Sequence, residues 1–316
     1  MSTAMQNAVQ RYLAERRSLG FDLAIAGGQL LRFAQFADSR GHSGPLTLEL
    51  QLDWAREHVR RTSSITWARR LEVVRPFAAY FRQFEPQTEV PDLLTFGRGH
   101  RRLAPHIYNE PEIVELLDAA SRLSGGVLRP ATYRTLLGLI AATGLRLSEA
   151  LHLRDSDVDV RTGLLTVRQT KFNKSRQLSL HATTVAALAA FRGTREQWVT
   201  RNPEMTFFLS RTGSKLAKRT VHHVFDQLRR SLNWVARGDY PWPRIHDLRH
   251  TFAVRRVQRW HEDGTSLEHA MFMLCTYLGH AKISDTYWYL SGVPELMSVV
   301  GERFERFVCR AEHNHV

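Results

Sequence analysis

The sequence predicts a mainly α chain with one small β-hairpin sheet, divided into two domains. Three observations carry this. Apolar residues recur at 3–4 spacing through most of the 316 residues. The stretch Phe84–Asn109 loses that periodicity and holds Pro86, Pro91, Gly97, Gly99 and Pro105. One short alternating patch, near residues 164–180, is β-like. The length suits about two domains of roughly 150 residues each. With 43% hydrophobic residues, a sizeable core can form, which excludes a disordered basic tail.

The periodicity places four helices in the first domain, residues 1–98, at about 4–19, 24–41, 47–61 and 65–84. In the last, Ile65, Ala68, Leu71, Val74, Ala78 and Phe81 fall on one face. Gly20, Gly27-Gly28, Gly41–Pro45 and Thr62–Ser64 punctuate them. A linker at 99–109 carries the basic pair Arg101-Arg102. The second domain, 110–316, opens with Asn109 as the expected N-cap and Glu110 and Glu112 in the first helical turn. Helices follow at about 110–122 and 131–142, then strands Leu164–Gln169 and Arg176–Leu180 around a hairpin loop. Beyond His181 helical periodicity continues to the end.

The chain holds 44 Lys+Arg against 31 Asp+Glu, a net charge of +13. A polyanionic partner, nucleic acid first, follows from such an excess, although solvated basic faces also produce one. The first 98 residues contribute +3 (13 Arg, 10 acids) and the remainder +10 (31 basic, 21 acidic). No apolar run approaches the ~18 residues of a membrane span, and the N-terminus has no secretory apolar core. Two cysteines, Cys275 and Cys309, cannot build a disulfide framework, and a cytoplasmic location is expected.

Four spots place polar residues in apolar surroundings. In ATGLRLSEAL, Arg146 sits between two leucines and three residues before Glu149. It either pairs locally with Glu149 or binds an anion. The hairpin loop carries Lys171 and Lys174, two of the chain's five lysines. Loop-tip lysines are usually solvated, but one crowded by cations can donate a proton. In HDLRHTFA, His246, Arg249 and His250 lie at i, i+3 and i+4 on one helical face. A zinc site resembles this spacing, but Asp247 is too short for a protease base and Arg249 would set a fixed charge beside the metal. Last, LGH at 278–280 is followed by Tyr287, Trp288 and Tyr289, a cluster that also suits plain packing.

Together these residues form an inventory for phosphoryl transfer without a metal. Arginines neutralise non-bridging oxygens, a tyrosine supplies the nucleophile, and a lysine or histidine protonates the leaving oxygen. Tyr287 and Tyr289 cannot both serve, because two residues on a helix point about 200° apart.

The sequence resembles the tyrosine recombinases, also called phage-type integrases. ATGLRLSEAL, TKFNKSRQLSL, HDLRHTFA, and YLGH followed nine residues later by Tyr289 match that family's motifs in order. The resemblance spans residues 110–295, with 1–98 resembling the helical core-binding domain. It implies a core-binding domain and a mixed α+β catalytic domain forming a clamp on DNA.

By the same resemblance, Arg146 and Arg249 grip the scissile phosphate, His246 assists by hydrogen bonding and Lys171 protonates the leaving 5′ oxygen. His280 holds a phosphate oxygen or positions the nucleophile, and Tyr289 attacks to form a 3′-phosphotyrosine. Glu149 orients the first arginine, and His250 is structural. Arg60, Arg61, Arg69, Arg70, Arg101 and Arg102 are expected on the DNA-facing surface. The segment His261–Ser266 reads as an insert between Arg249 and His280.

An apolar face of Leu296, Val300, Phe304, Phe307 and Val308 suggests a helix at about 294–310. It packs on its own domain or, as the resemblance implies, docks onto a neighbouring protomer. The implied assembly is a homotetramer on paired double-stranded DNA sites, alone or with related recombinases, acting on the bacterial nucleoid without cofactor, ATP or metal. A mobile-element role is the first expectation. Chromosome or plasmid dimer resolution, a relaxing topoisomerase and a catalytically silent DNA-binding regulator are the alternatives.

Overall fold

The computed structural model describes residues 4–57, 63–99, 102–168, 175–200, 202, 204–210, 212–280, 282–292, 297 and 301. The chain divides into two compact units, Met1–Arg102 and Leu103–Val316. No helix among the described residues is long and apolar enough to cross a membrane.

The first unit holds α1 (Ala4–Ser18), α2 (Ala24–Ser39), α3 (Leu48–Arg56) and α4 (Ser64–Phe81). Thr47 and Ser63 accept from Leu50 N (3.2 Å) and Thr66 N (3.3 Å), so each starts its helix with an N-terminal donor satisfied. The core packs Val9, Leu30, Phe33, Trp54, Val74 and Phe77, with Phe33 edge-on to both Trp54 and Phe77. Helix α3 ends five residues before the expected boundary: Glu57 is extended, and its carbonyl accepts from Arg70 Nη1 at 3.0 Å.

In the second unit Asn109 caps α5 (Glu110–Ser121) through a capping box, exchanging 2.8 Å hydrogen bonds with Glu112. Helix α6 (Leu128–Thr143) begins three residues earlier than the periodicity suggests. Pro130 lies in its first turn, where the missing N–H has no helical acceptor to lose. With Leu136, Leu137, Leu139 and Ile140 all buried, α6 forms the centre of the unit and packs against α5 and later helices.

After α7 (Leu147–His152) and a short 3-10 turn comes a three-stranded antiparallel sheet, β1 (Val158–Asp159), β2 (Leu164–Val167) and β3 (Arg176–Ser179). Strand β1 is too short to show a period, so the sequence pattern does not reveal it. Strand β3 stops one residue before the expected end, and Gln169 lies outside the described residues. The β2–β3 register pairs Leu165 with Leu178 and Val167 with Arg176.

Helices α8 (Ala182–Glu196), α9 (Lys218–Leu232), α10 (Ile245–Glu262), α11 (Leu267–Leu278) and α12 (Ser284–Gly292) complete the unit. The helical stretch expected beyond His181 is broken by short turns before α11 and α12 and by two longer non-helical segments. Between α8 and α9 the buried pair Phe207-Phe208 draws the chain back onto the segment after α7, through Phe207 N to Leu153 O (2.7 Å) and Asp155 N to Met205 O (2.9 Å). Between α9 and α10, Pro241 and Pro243 exclude a helix. His261–Ser266 comprises the end of α10, a turn at Asp263-Gly264, and the N-cap Ser266 of α11.

Candidate active site

The site forms where two chain reversals meet helix α10. Helix α6 stops at Gly144, which is left-handed at φ 64° and lies so close to α10 that a Cβ would come 2.6 Å from Phe252 Cδ1. Two residues on, Arg146 occupies the N-cap position of α7. Its amide donates to Glu149 Oε2 (3.0 Å) and its Nη1 to Glu149 Oε1 (2.9 Å), while a third of the side chain stays exposed (33%). The local pair suggested by the sequence exists, but Glu149 has further partners. Arg176 of β3 donates to both its oxygens, at 3.2 and 2.9 Å, and Arg249 Nη1 lies 4.0 Å away. Burial raises the Glu149 pKa, but Arg176, the Arg146 amide and Arg249 more than offset this and hold it below the usual range.

Helix α10 presents His246, Arg249 and His250 together. Asp247 starts the helix by accepting from Arg244 N (2.8 Å) and Nη2 (2.6 Å). Arg249 is buried and fastens two reversals to the site, donating to Gly144 O (2.7 Å) and Leu278 O (2.9 Å). Burial, then the Arg146 charge, lower its pKa to about 10, so it stays cationic at neutral pH. His246 is exposed, yet neighbouring protein atoms displace water and Arg249, Arg244, Arg146 and Lys218 add positive charge, lowering its pKa to about 4. The ring of His250 packs 4.7 Å from His246, 5.7 Å from Trp288 and 5.6 Å from Tyr289, and burial keeps it neutral.

The second reversal is Gly279, left-handed at φ 66°, which ends α11 and turns the chain to His280. The His280 Nδ1 pairs with the buried Thr286 hydroxyl at 2.7 Å. Its pKa is lowered to about 4, by burial first and then by Arg249 and Arg146. On α12, Tyr289 is 2% exposed and stacks over His280 at 6.4 Å, whereas Tyr287 is 38% exposed. The helix turns Tyr289 inward and Tyr287 outward. Burial raises the Tyr289 pKa, with Arg249 and Arg146 offsetting part of the rise, so the phenol is protonated at neutral pH.

Arg146, Glu149, His246, Arg249, His280 and Tyr289 are therefore brought together. Lys171 and its rival Lys174 lie outside the described residues, as do Arg60, Arg61, Arg101 and, apart from Met297 and Gly301, the helix expected at about 294–310. Arg69 and Arg70 donate to carbonyls of their own unit, Gly99 (2.7 Å) and Glu57 (3.0 Å), and Arg102 is exposed. Arg176 lies within the TKFNKSRQLSL motif, but the sequence assigns it no role. Its signal is the alternation of β3, where Arg176 shares the inward phase of the buried Leu178.

The phage integrase family model matches residues 108–293, more than half of the chain and all of the described site. The chain belongs to the phage integrase family. This integrase-family chain is 39% identical over 311 residues to the "Putative integrase/recombinase y4rB" of Sinorhizobium fredii, covering 97% of this chain and 98% of that protein. It is 29% identical to the tyrosine recombinase XerC of Chromobacterium violaceum over 291 residues, 90% of each. Among solved structures, the Tn1549 transposon integrase in complex with transposon right end DNA has the same fold. Its TM-score is 0.65 at 18% identity, over 94% of this chain and 99% of that one. The XerH site-specific recombinase bound to difH gives 0.64 at 18%, over 88% and 78%. The fold and family are thus those of the tyrosine recombinases, and a site-specific recombinase is the corresponding enzyme class.

Proposed function

We propose that the chain cuts and rejoins duplex DNA at specific sites through a 3′-phosphotyrosine on Tyr289. The observation that carries this reading is the convergence of two arginines, two neutral histidines and one inward tyrosine in a single cluster. The exposed edge of Arg146 and the buried fork of Arg249 bind the non-bridging oxygens of the scissile phosphate. Neutral His246 and His280 add hydrogen bonds. The Tyr289 oxygen attacks phosphorus, the bond to the 5′ oxygen breaks, and the leaving oxygen takes a proton from Lys171, a role that rests on the family resemblance. The Tyr289 proton passes to a neutral imidazole of the cluster. Phosphodiester bond energy is kept in the tyrosyl ester, so rejoining needs neither ATP nor metal.

The first unit serves as core-binding domain, 110–316 as catalytic domain, and most of the +13 contacts the DNA backbone. The working assembly is a homotetramer on paired sites, with residues 294–310 docking in trans, acting on the nucleoid of the cytoplasm. The biological role in this reading is integration or excision of a mobile element, with which the integrase/recombinase name of the similar Sinorhizobium fredii protein is consistent.

The test is a nicked suicide duplex from DNA flanking the gene. A covalent adduct is expected that vanishes in Tyr289→Phe and persists in Tyr287→Phe. The same binding with no adduct from the wild type would turn the reading to a silent regulator, and loss of the adduct on EDTA treatment to metal chemistry.

A further inference from the structure

Arg176 has no task in the chemistry above, yet it is tied to two separate parts of the site. It opens β3 opposite Val167 and takes the inward phase that Leu178 uses for the core. Its side chain, 13% exposed, leaves the sheet instead of filling the core. Nε donates to Tyr277 O at 2.9 Å, and Nη1 and Nη2 donate to the two Glu149 oxygens at 3.2 and 2.9 Å. Its guanidinium also lies flat against Gly279, where a Cβ would come 2.7 Å from Nη1. One planar group therefore links the β-hairpin, the carboxylate beside Arg146, and the turn that delivers His280.

The charge arrangement explains what such a link does. Glu149 faces Arg146 at 2.9 Å and Arg249 at 4.0 Å. A carboxylate left alone between two arginines moves toward both and competes with a phosphate for them. A bidentate fork from a third arginine fixes the carboxylate plane and takes up its oxygens. Three guanidinium charges and one carboxylate (3 − 1) then leave a surplus of positive charge facing the open side, where a phosphodiester gathers further negative charge during attack.

We propose that Arg176 is a positioning residue for strand cleavage: by holding both Glu149 oxygens and the Tyr277 carbonyl, it keeps Arg146 and Arg249 turned to the phosphate and the His280 turn in register. The proposal rests on the recombinase reading above.

The experiment compares wild type, Arg176→Met, Arg176→Lys, Glu149→Gln and the Arg176→Met/Glu149→Gln double variant. Single-turnover adduct formation on suicide DNA is measured at saturating protein, beside DNA affinity and thermal melting. Arg176→Met is expected to bind within a few-fold of wild type and to cleave about 100-fold more slowly, the scale of a misplaced reacting group. Arg176→Lys keeps the charge and loses the fork, so cleavage falls about 10-fold; it also gives a reading if the Met variant does not fold. Because Arg176 acts through Glu149, the double variant is expected to be no slower than the slower single variant.

Wild-type cleavage in Arg176→Met or Arg176→Lys overturns the proposal. So do rate losses that multiply in the double variant, or losses of cleavage matched by equal losses of affinity and melting temperature. A wild-type protein that forms no adduct overturns the recombinase reading together with this inference; an intact wild-type adduct with an unimpaired Arg176→Met overturns the inference alone.

Discussion

The cluster of Arg192, Arg195 and Asp155 and the cluster of Arg146, Arg176, Arg249 and Glu149 use the same chemistry and end differently. In the first, Arg195 and Asp155 are both fully buried, joined at 2.5 Å, with Arg192 joining at 3.1 Å. Carbonyls of Phe207 and Val158 take further donors, so these guanidinium groups are committed to the protein. In the second, Arg249 is equally buried and fastened to two carbonyls, but Arg146 keeps an exposed edge beside His246. The lesson is that a buried arginine marks function only when its cluster keeps an accessible edge and charge left over. Arg195 is a structural strut, and Arg146 keeps the exposed edge that the proposed phosphate contact requires.

Substitutions sharpen that contrast, the largest effect first. Arg146→Ala should slow adduct formation by about 10²–10³-fold, the cost of losing one donor to a developing oxyanion, with melting nearly unchanged. A large melting loss instead would make Arg146 another strut. Asp155→Asn should do the opposite. It leaves two buried guanidinium groups uncompensated, destabilising by about 3–5 kcal/mol and lowering Tm by roughly 10 °C, with single-turnover cleavage retained at permissive temperature. Impaired cleavage in the folded fraction would erase the distinction.

The next effect is on pH. His246 and His280 have folded pKa values of about 4 against 6.5 unfolded. Between these values the unfolded chain takes protons that the folded site refuses. Stability is therefore whole above pH 6.5 and falls as pH drops toward 4. Melting followed from pH 7.5 to 4.5 should decline less steeply in a His280→Gln variant; parallel curves would contradict the site's positive field. Bound DNA phosphate adds negative charge and should raise both histidine pKa values, which NMR titration reads directly. The smallest effect concerns salt. Affinity for DNA should fall steeply with salt, and Arg146→Ala should reduce the slope by about one contact. An unchanged slope would mean that Arg146 does not face the backbone.

Much of the site was legible because its residues obey local periods. The i, i+3, i+4 spacing of His246, Arg249 and His250 survives as one face of α10, and the half-turn between Tyr287 and Tyr289 forces one of them outward. Features of long-range origin were not legible. Strand β1 exists because β2 offers it an edge, and the 197–217 stretch leaves helical form because Phe207-Phe208 find a buried place against the segment after α7. Arg176 shows both sides. Its inward phase is visible in the alternation, but its partners at Glu149 and Tyr277 are 27 and 101 residues away.

By itself the sequence determined the two-domain helical plan, the basic surplus and the set of candidate site residues, since composition and short spacing are local properties. The tertiary structure decided the rest. It buried Tyr289 and left Tyr287 exposed, turned a local Arg146–Glu149 pair into a four-membered cluster, and separated the arginine that faces solvent from those that brace the core. Those outcomes depend on which distant segments exclude water from each charge, and burial is a property of the packed chain.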